Sequence, residues 1–185
     1  IYKFKSLIFL ILMTTNRFLL RQFTDNDLQN VYKGLSHPEV IKYYGISFDS
    51  LEATKEQMSW FSQLEKDETG IWWAIESIEN QEFCGAIGFN NLNKQHKRAE
   101  IGFWLLPERW KKGIISEVLP TVCAYAFESL GLHRIEAQVE TENLACQNVM
   151  KKNKFLYEGT LNECEFKDGK YISLDLFALF NSKDN

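Results

Sequence analysis

The 185-residue sequence has no long basic block, no paired-cysteine motif, no glycine-rich nucleotide signature and no apolar run long enough to cross a bilayer. Each absence removes a class of function. Lys and Arg number 21 against 25 Asp and Glu, a formal charge of -4, which argues against a protein that grips nucleic acid through its phosphates. The four cysteines, Cys84, Cys123, Cys146 and Cys164, form no C-x-x-C pair and have no histidine at metal-ligand spacing. They read as free thiols of a reducing cytoplasm, with no metal site expected. Neither G-x-x-x-x-G-K-[ST] nor G-x-G-x-x-G occurs, which speaks against nucleotide hydrolysis and dinucleotide binding. No repeat or low-complexity linker divides the chain, and its length with 45% apolar residues suits one buried core.

At the N-terminus, Lys3 and Lys5 precede the apolar run Leu7-Ile8-Phe9-Leu10-Ile11-Leu12. It is too short to span a membrane, and no small-residue cleavage site follows it. Residues 1–12 therefore read as an extension upstream of a start at Met13, and residues 13–185 as a single domain.

What is present is an alternation of strand and helix patterns. Phe18–Phe23 reads as a strand, and Thr24-Asp25-Asn26-Asp27 offers cap side chains to a helix carrying Leu28, Val31, Tyr32 and Leu35. His37-Pro38 ends it, Val40–Tyr44 forms a short apolar patch, and residues 50–66 repeat a helical spacing. Ile71–Ser77, Phe83–Asn90 and Arg98–Leu105 then read as an antiparallel meander. After Gly113 a helical pattern runs to Leu130-Gly131, with Pro120 as a point of kinking. His133–Val139 reads as a strand and Asn143–Lys152 as a helix. Phe155–Thr160 and Tyr171–Phe180 read as final strands around a turn at Asp168-Gly169. The sum is α+β: a mostly antiparallel mixed sheet with helices packed on it.

The stretch "ERWKKGIISEV" joins a strand to a helix. Such a junction leaves the first backbone N–H groups of the helix unpaired, and with the helix dipole they form an anion site. Lys111 and Lys112 would favour a pyrophosphate there, although a basic turn is more often simply a solvated one.

Four segments in this order, "EIGFWLLPERWKKGIISEV", "YAFESLGLHRIEAQVETEN", "NLACQNVMKKNKF" and "EGTLNECEFKDGKY", resemble the GNAT acetyltransferases, and within them the RimJ/RimL branch. The resemblance spans essentially residues 14–180. It implies a sheet splayed at the cofactor site, with helices on both faces, and the transfer of an acetyl group from acetyl-CoA to an amine. The family's pyrophosphate loop, roughly [QR]-x-x-G-x-[GA], falls on Trp110, Lys111, Lys112, Gly113, Ile114 and Ile115, with Ser116 following. Only Gly113 matches strictly; Trp110 stands for a polar residue and Ile115 for a small one.

By the same resemblance, the backbone of Trp104 and Leu105 would pair with the pantetheine amides. Asn143 would reach the pantetheine arm, while on its own it also reads as a helix N-cap. An amine must lose a proton before it attacks, so a carboxylate is needed. Glu165 matches the base proposed in RimL-type enzymes. Glu100 competes from the strand face shared with Gly102 and Trp104 and also reads as a solvent-facing strand residue, while Glu165 also reads as one polar position in an acidic turn beside Glu163 and Asp168. Cys146 falls where the family has a serine that assists the departing thiolate, and also reads as a small buried helix residue.

Trp60, Phe61, Trp72 and Trp73 read as packing, with the wall of an acceptor pocket as the alternative. The expected protein is a cytoplasmic N-acetyltransferase, monomeric or homodimeric, without direct contact to nucleic acid or membrane. Its acceptor would be a ribosomal-protein N-terminus, a polyamine or another small amine. A non-catalytic acyl-CoA-binding or regulatory module is the alternative.

Overall fold

Alternating burial sets the first long strand. Phe18 and Leu20 turn into the core while Leu19 and Arg21 are only half-buried, the period of two that a sheet with one face on a core requires. The computed structural model describes residues 12–182, so the proposed N-terminal extension, Leu12 apart, lies outside the described residues. Strand β1 (Met13–Thr14) pairs with β2 (Phe18–Arg21). Helices α1 (Leu28–Leu35), α2 (Pro38–Ile41) and α3 (Leu51–Lys66) follow. The Ser50 side chain caps α3 by accepting the Ala53 N–H at 3.2 Å.

Strands β3 (Ile71–Ser77), β4 (Phe83–Asn93) and β5 (Arg98–Leu105) form the antiparallel meander expected from their alternation. Helix α4 (Ile114–Glu128) leads to β6 (Arg134–Glu140), α5 (Leu144–Lys152), β7 (Leu156–Lys167) and β8 (Lys170–Phe180). The sheet order is β1-β2-β3-β4-β5-β6-β8-β7, antiparallel except between β5 and β6.

Each face of the sheet has its own core. Trp73, Ile87, Phe89 and Ile101 pack with Ile115, Val118, Leu119 and Val122 of α4 and Met150 of α5. On the other face Trp72, Ala74, Ala86 and Trp104 pack with Val31 and Leu35 of α1 and Phe61 of α3. Helices therefore cover both faces, and β5 sends alternate side chains into both cores.

The one parallel pairing is also the shortest among the central strands. Only Arg98–Glu100 of β5 pair with Arg134–Glu136 of β6. Past Glu100 the two strands part, while β6 stays paired to β8 as far as Glu140 against Leu174. The rest of β5 thus presents an edge with no strand beside it, in the middle of the sheet.

Three elements differ from their sequence patterns. The apolar patch at Val40–Tyr44 is in part the helix α2, because Pro38 occupies its first turn, where a missing N–H costs nothing. Pro120 does not interrupt α4, which runs through it with the proline exposed. Strand β7 continues to Lys167 instead of stopping near Thr160. Its register shifts twice against β8, between Tyr157 and Gly159 and between Leu161 and Glu165. Each irregularity breaks the period of two by which the strand would be recognised.

Candidate active site

The loop between β5 and α4 is built from two left-handed residues, Lys111 at φ 59° and Gly113 at φ 72°. Gly113 is needed for that conformation and not for space, since a Cβ there would meet nothing nearer than Arg17 Nη2 at 3.8 Å. The first helical bond of α4 runs from the Glu117 N–H to the Gly113 carbonyl at 3.1 Å. The N–H groups of Ile114, Ile115 and Ser116 are therefore left without helical acceptors, at the positive end of the helix dipole. Ile114 and Ile115 are buried in the core and also border the cleft. Lys111 and Lys112 are exposed beside it.

A brace holds this loop from outside. Glu117 accepts from Thr15 Oγ1 at 2.7 Å, from the Arg17 N–H at 2.9 Å and from Arg17 Nε at 2.6 Å, while Arg17 Nη2 donates to the Lys112 carbonyl at 3.2 Å. The first two strands are thereby tied to the anion loop. Trp110, the least family-like residue of the loop, donates its indole N–H to the Leu105 carbonyl at 2.9 Å. It joins the loop to the open edge of β5.

From this loop a cleft of about 700 Å³ runs between β5 and β6. All ten residues expected to hold the cofactor, from Trp104 and Leu105 through Trp110–Ser116 to Asn143, line it, as do Cys146 and Glu100. Asn143 caps α5, its Oδ1 accepting the Cys146 N–H at 3.1 Å, so the capping reading holds for a residue that is also on the wall. Burial pushes the Cys146 thiol up to about 12. A thiol that holds its proton this firmly donates a hydrogen bond more readily than the proton itself.

The cleft reaches the opposite face of the sheet through the gap past Glu100. There Gly88 and Gly102 are direct cross-strand partners, and the Trp72 indole lies across them. A Cβ on Gly102 would come within 2.9 Å of Trp72 Cη2, and one on Gly88 would overlap its Cγ. Trp72 Nε1 donates to Asn90 Oδ1 at 2.7 Å, and Asn90 is the cross-strand partner of Glu100. The indole shelf and the carboxylate are thus fixed by one register.

Tyr44 stands edge-on to Trp72 and Trp104, with ring centroids 6.4 Å away in both cases, and Trp60 is 6.1 Å from Trp72. Glu100 is half-buried, and burial raises its pKa above the ordinary carboxylate value. The Asn91 amide, donating at 3.1 Å, works against that rise, while the negative charges of Glu136 and Glu165 add to it.

Glu165 itself is exposed on β7 opposite Ile172, in a strand and not in the acidic turn its neighbours suggest, and it does not line the cleft. Trp60 is half-buried on the cleft wall, and Trp72 borders the cleft while being packed in the core, as are Phe61 and Trp73. Tyr44, Asn90 and the Arg17–Glu117 brace carry no sequence motif. The only signal for the shelf, the glycines at 88 and 102, becomes readable once the register of β4 and β5 is known.

The sequence matches the acetyltransferase (GNAT) domain over residues 17–156. It is 35% identical over 174 residues to YoaA, an uncharacterized N-acetyltransferase of Bacillus subtilis (strain 168), covering 94% of this chain and 98% of that one. It is 32% identical over 101 residues to the ribosomal-protein-serine acetyltransferase of Escherichia coli (strain K12), 55% of this chain and 56% of that one. The spermidine N-acetyltransferase of Vibrio cholerae, solved with CoA and spermine, shares the fold: TM-score 0.80 at 22% identity, over 90% of this chain and 96% of that one. With a splayed mixed sheet, a helix N-terminus free to take a pyrophosphate and this domain match, the chain belongs to the GNAT acetyltransferases, enzymes that use acetyl-CoA.

Proposed function

We propose that this chain moves an acetyl group directly from bound acetyl-CoA to a primary amine, with both substrates held at once and no acetylated enzyme formed. The observation that carries the reading is the position of Glu100. It stands where β5 leaves β6, on the wall of a cleft continuous with the anion loop. The N–H groups of Ile114, Ile115 and Ser116, backed by Gly113, Lys111 and Lys112, hold the pyrophosphate. The open edge of β5 at Trp104 and Leu105 takes the pantetheine amides as an added strand would, and Asn143 reaches the arm from α5.

Bound in this way, acetyl-CoA supplies a thioester carbonyl that an uncharged amine can attack. Glu100 removes the amine's proton, directly or through one water, and its raised pKa makes it a stronger base at neutral pH than an ordinary carboxylate. Glu165, exposed on β7, acts on Glu100 through its charge. Cys146 donates a hydrogen bond toward the sulfur. A free thiol with no histidine partner on the wall among the described residues, held protonated by burial, is a poor covalent nucleophile.

The acceptor is an amine on a protein N-terminus or a small molecule. The relatives named above for ribosomal-protein serine and for spermidine mark the two ends of that range. Initial rates of CoA release, measured while both substrates are varied over a panel of N-terminal peptides, polyamines and small amines, test the reading. Intersecting rate patterns are expected. Parallel patterns, or acetyl-CoA binding without turnover of any amine, would reject it.

A further inference from the structure

The charge on the cleft wall limits which amines it can hold. Three glutamates line the cleft, Glu39, Glu100 and Glu140. Glu39 is exposed at the rim on α2. Glu140 is bonded to Lys167 Nζ, which also donates to the Lys42 carbonyl, so one lysine bridges the two lips of the cleft and neutralises the carboxylate there. Glu100 remains, and its donor is the neutral amide of Asn91. Among the described residues, its charge is the one on the inner wall that no cation offsets.

Around it the surface is aromatic. Trp72 lies flat on its two glycines, with Trp60 and Tyr44 standing against it. The Tyr44 phenol adds no negative charge, because burial raises its pKa, with the Trp104 indole N–H acting in the opposite sense. An ammonium among these rings without a carboxylate partner would be buried unpaired, which is costly. A polyamine entering amine-first would bring at least two such groups for one carboxylate. A flat apolar body, by contrast, gains by leaving water against Trp60 and Tyr44, both half-buried on the cleft wall.

We infer that the acceptor is a primary monoamine on a flat, apolar carbon body, its nitrogen at Glu100 and its body against Trp60 and Tyr44, which cover the buried Trp72, and that polyamines are poor substrates. The inference rests on the transferase reading above and names its substrate class.

The test compares 2-phenylethylamine with spermidine in the intact protein at saturating acetyl-CoA. The kcat/KM for 2-phenylethylamine is expected to exceed that for spermidine by about tenfold or more, the discrimination a hydrophobic pocket can supply. Trp60→Ala is expected to raise the KM for 2-phenylethylamine about tenfold with the KM for acetyl-CoA unchanged. The wild-type comparison stands even if that variant folds poorly. Equal or better use of spermidine would overturn the inference and leave the transferase reading intact. Turnover of neither amine would also overturn it, and only silence across the whole amine panel would reach the transferase reading.

Discussion

At the residue scale, two carboxylates, the buried Asp27 and the half-buried Glu100, respond to pH with opposite signs. Burial pushes the Asp27 pKa up, but Arg21 and the Thr24 N–H together outweigh burial and hold it below the ordinary value. Arg21 Nη1 and Nη2 reach its two oxygens at 2.7 and 2.8 Å. The folded state then binds fewer protons than the unfolded chain. The stability contributed by Asp27 is present above the ordinary carboxylate pKa and lost as pH falls through the lowered one. Asp27→Asn is expected to cost about 3 kcal/mol in urea unfolding at pH 7, because it leaves Arg21 half-paired in a buried site. The same variant should flatten the acid limb of stability against pH.

Glu100 works the other way. Its raised pKa means that stability is lost as pH rises through the folded value. Glu100→Gln should therefore be at least as stable as wild type at pH 8, as a thermal melt would show. Cys146→Ala is expected to lower kcat about fivefold, the worth of one hydrogen bond, and Cys146→Ser to retain most of it. The place of Cys146 and Asn143 on the cleft wall was legible in the sequence through motif position. Arg21, Asp27 and Tyr44 were not, because their partners lie on other elements.

At the element scale, the anion loop depends on its brace. Arg17 and Glu117 are about a hundred residues apart in sequence and no motif links them, yet they anchor the loop carbonyl of Lys112. Glu117→Ala is expected to weaken acetyl-CoA binding by ~1 kcal/mol, about fivefold in Kd by calorimetry, with kcat little changed. The value is small because Arg17 is half exposed and water screens the pair. The elements themselves were largely readable: the helices from their spacing and caps, the meander from its alternation. Strand β7 was read short for a physical cause, since its two register shifts erase the alternation on which recognition depends. That shortening is also why Glu165 looked like a turn residue.

At the scale of the whole molecule, the cleft comes from a pairing that stops. β5 and β6 are held together at Arg98–Glu100 and open beyond it. The cofactor loop lies on the α4 side of the sheet, and the aromatic shelf lies on the other side. Sequence patterns give the strands but not the length over which two of them pair, so the splay was expected from family resemblance alone. The residues proposed for the cofactor stand out in the sequence because all but Asn143 fall in one stretch from Trp104 to Ser116. Those of the acceptor half do not, because Tyr44, Trp60, Trp72, Asn90 and Glu100 come from five separate segments.

The assignment of Glu100 unites the two halves, and the pH dependence of kcat/KM for the amine, in wild type and Glu100→Gln, tests it most directly. Wild type should show an ascending limb with a pKa above the ordinary carboxylate range. Glu100→Gln should lose that limb and fall about a hundredfold, the usual share of a general base, with acetyl-CoA affinity unchanged. An unaltered limb and rate in Glu100→Gln, with the loss appearing in Glu165→Gln instead, would contradict the assignment.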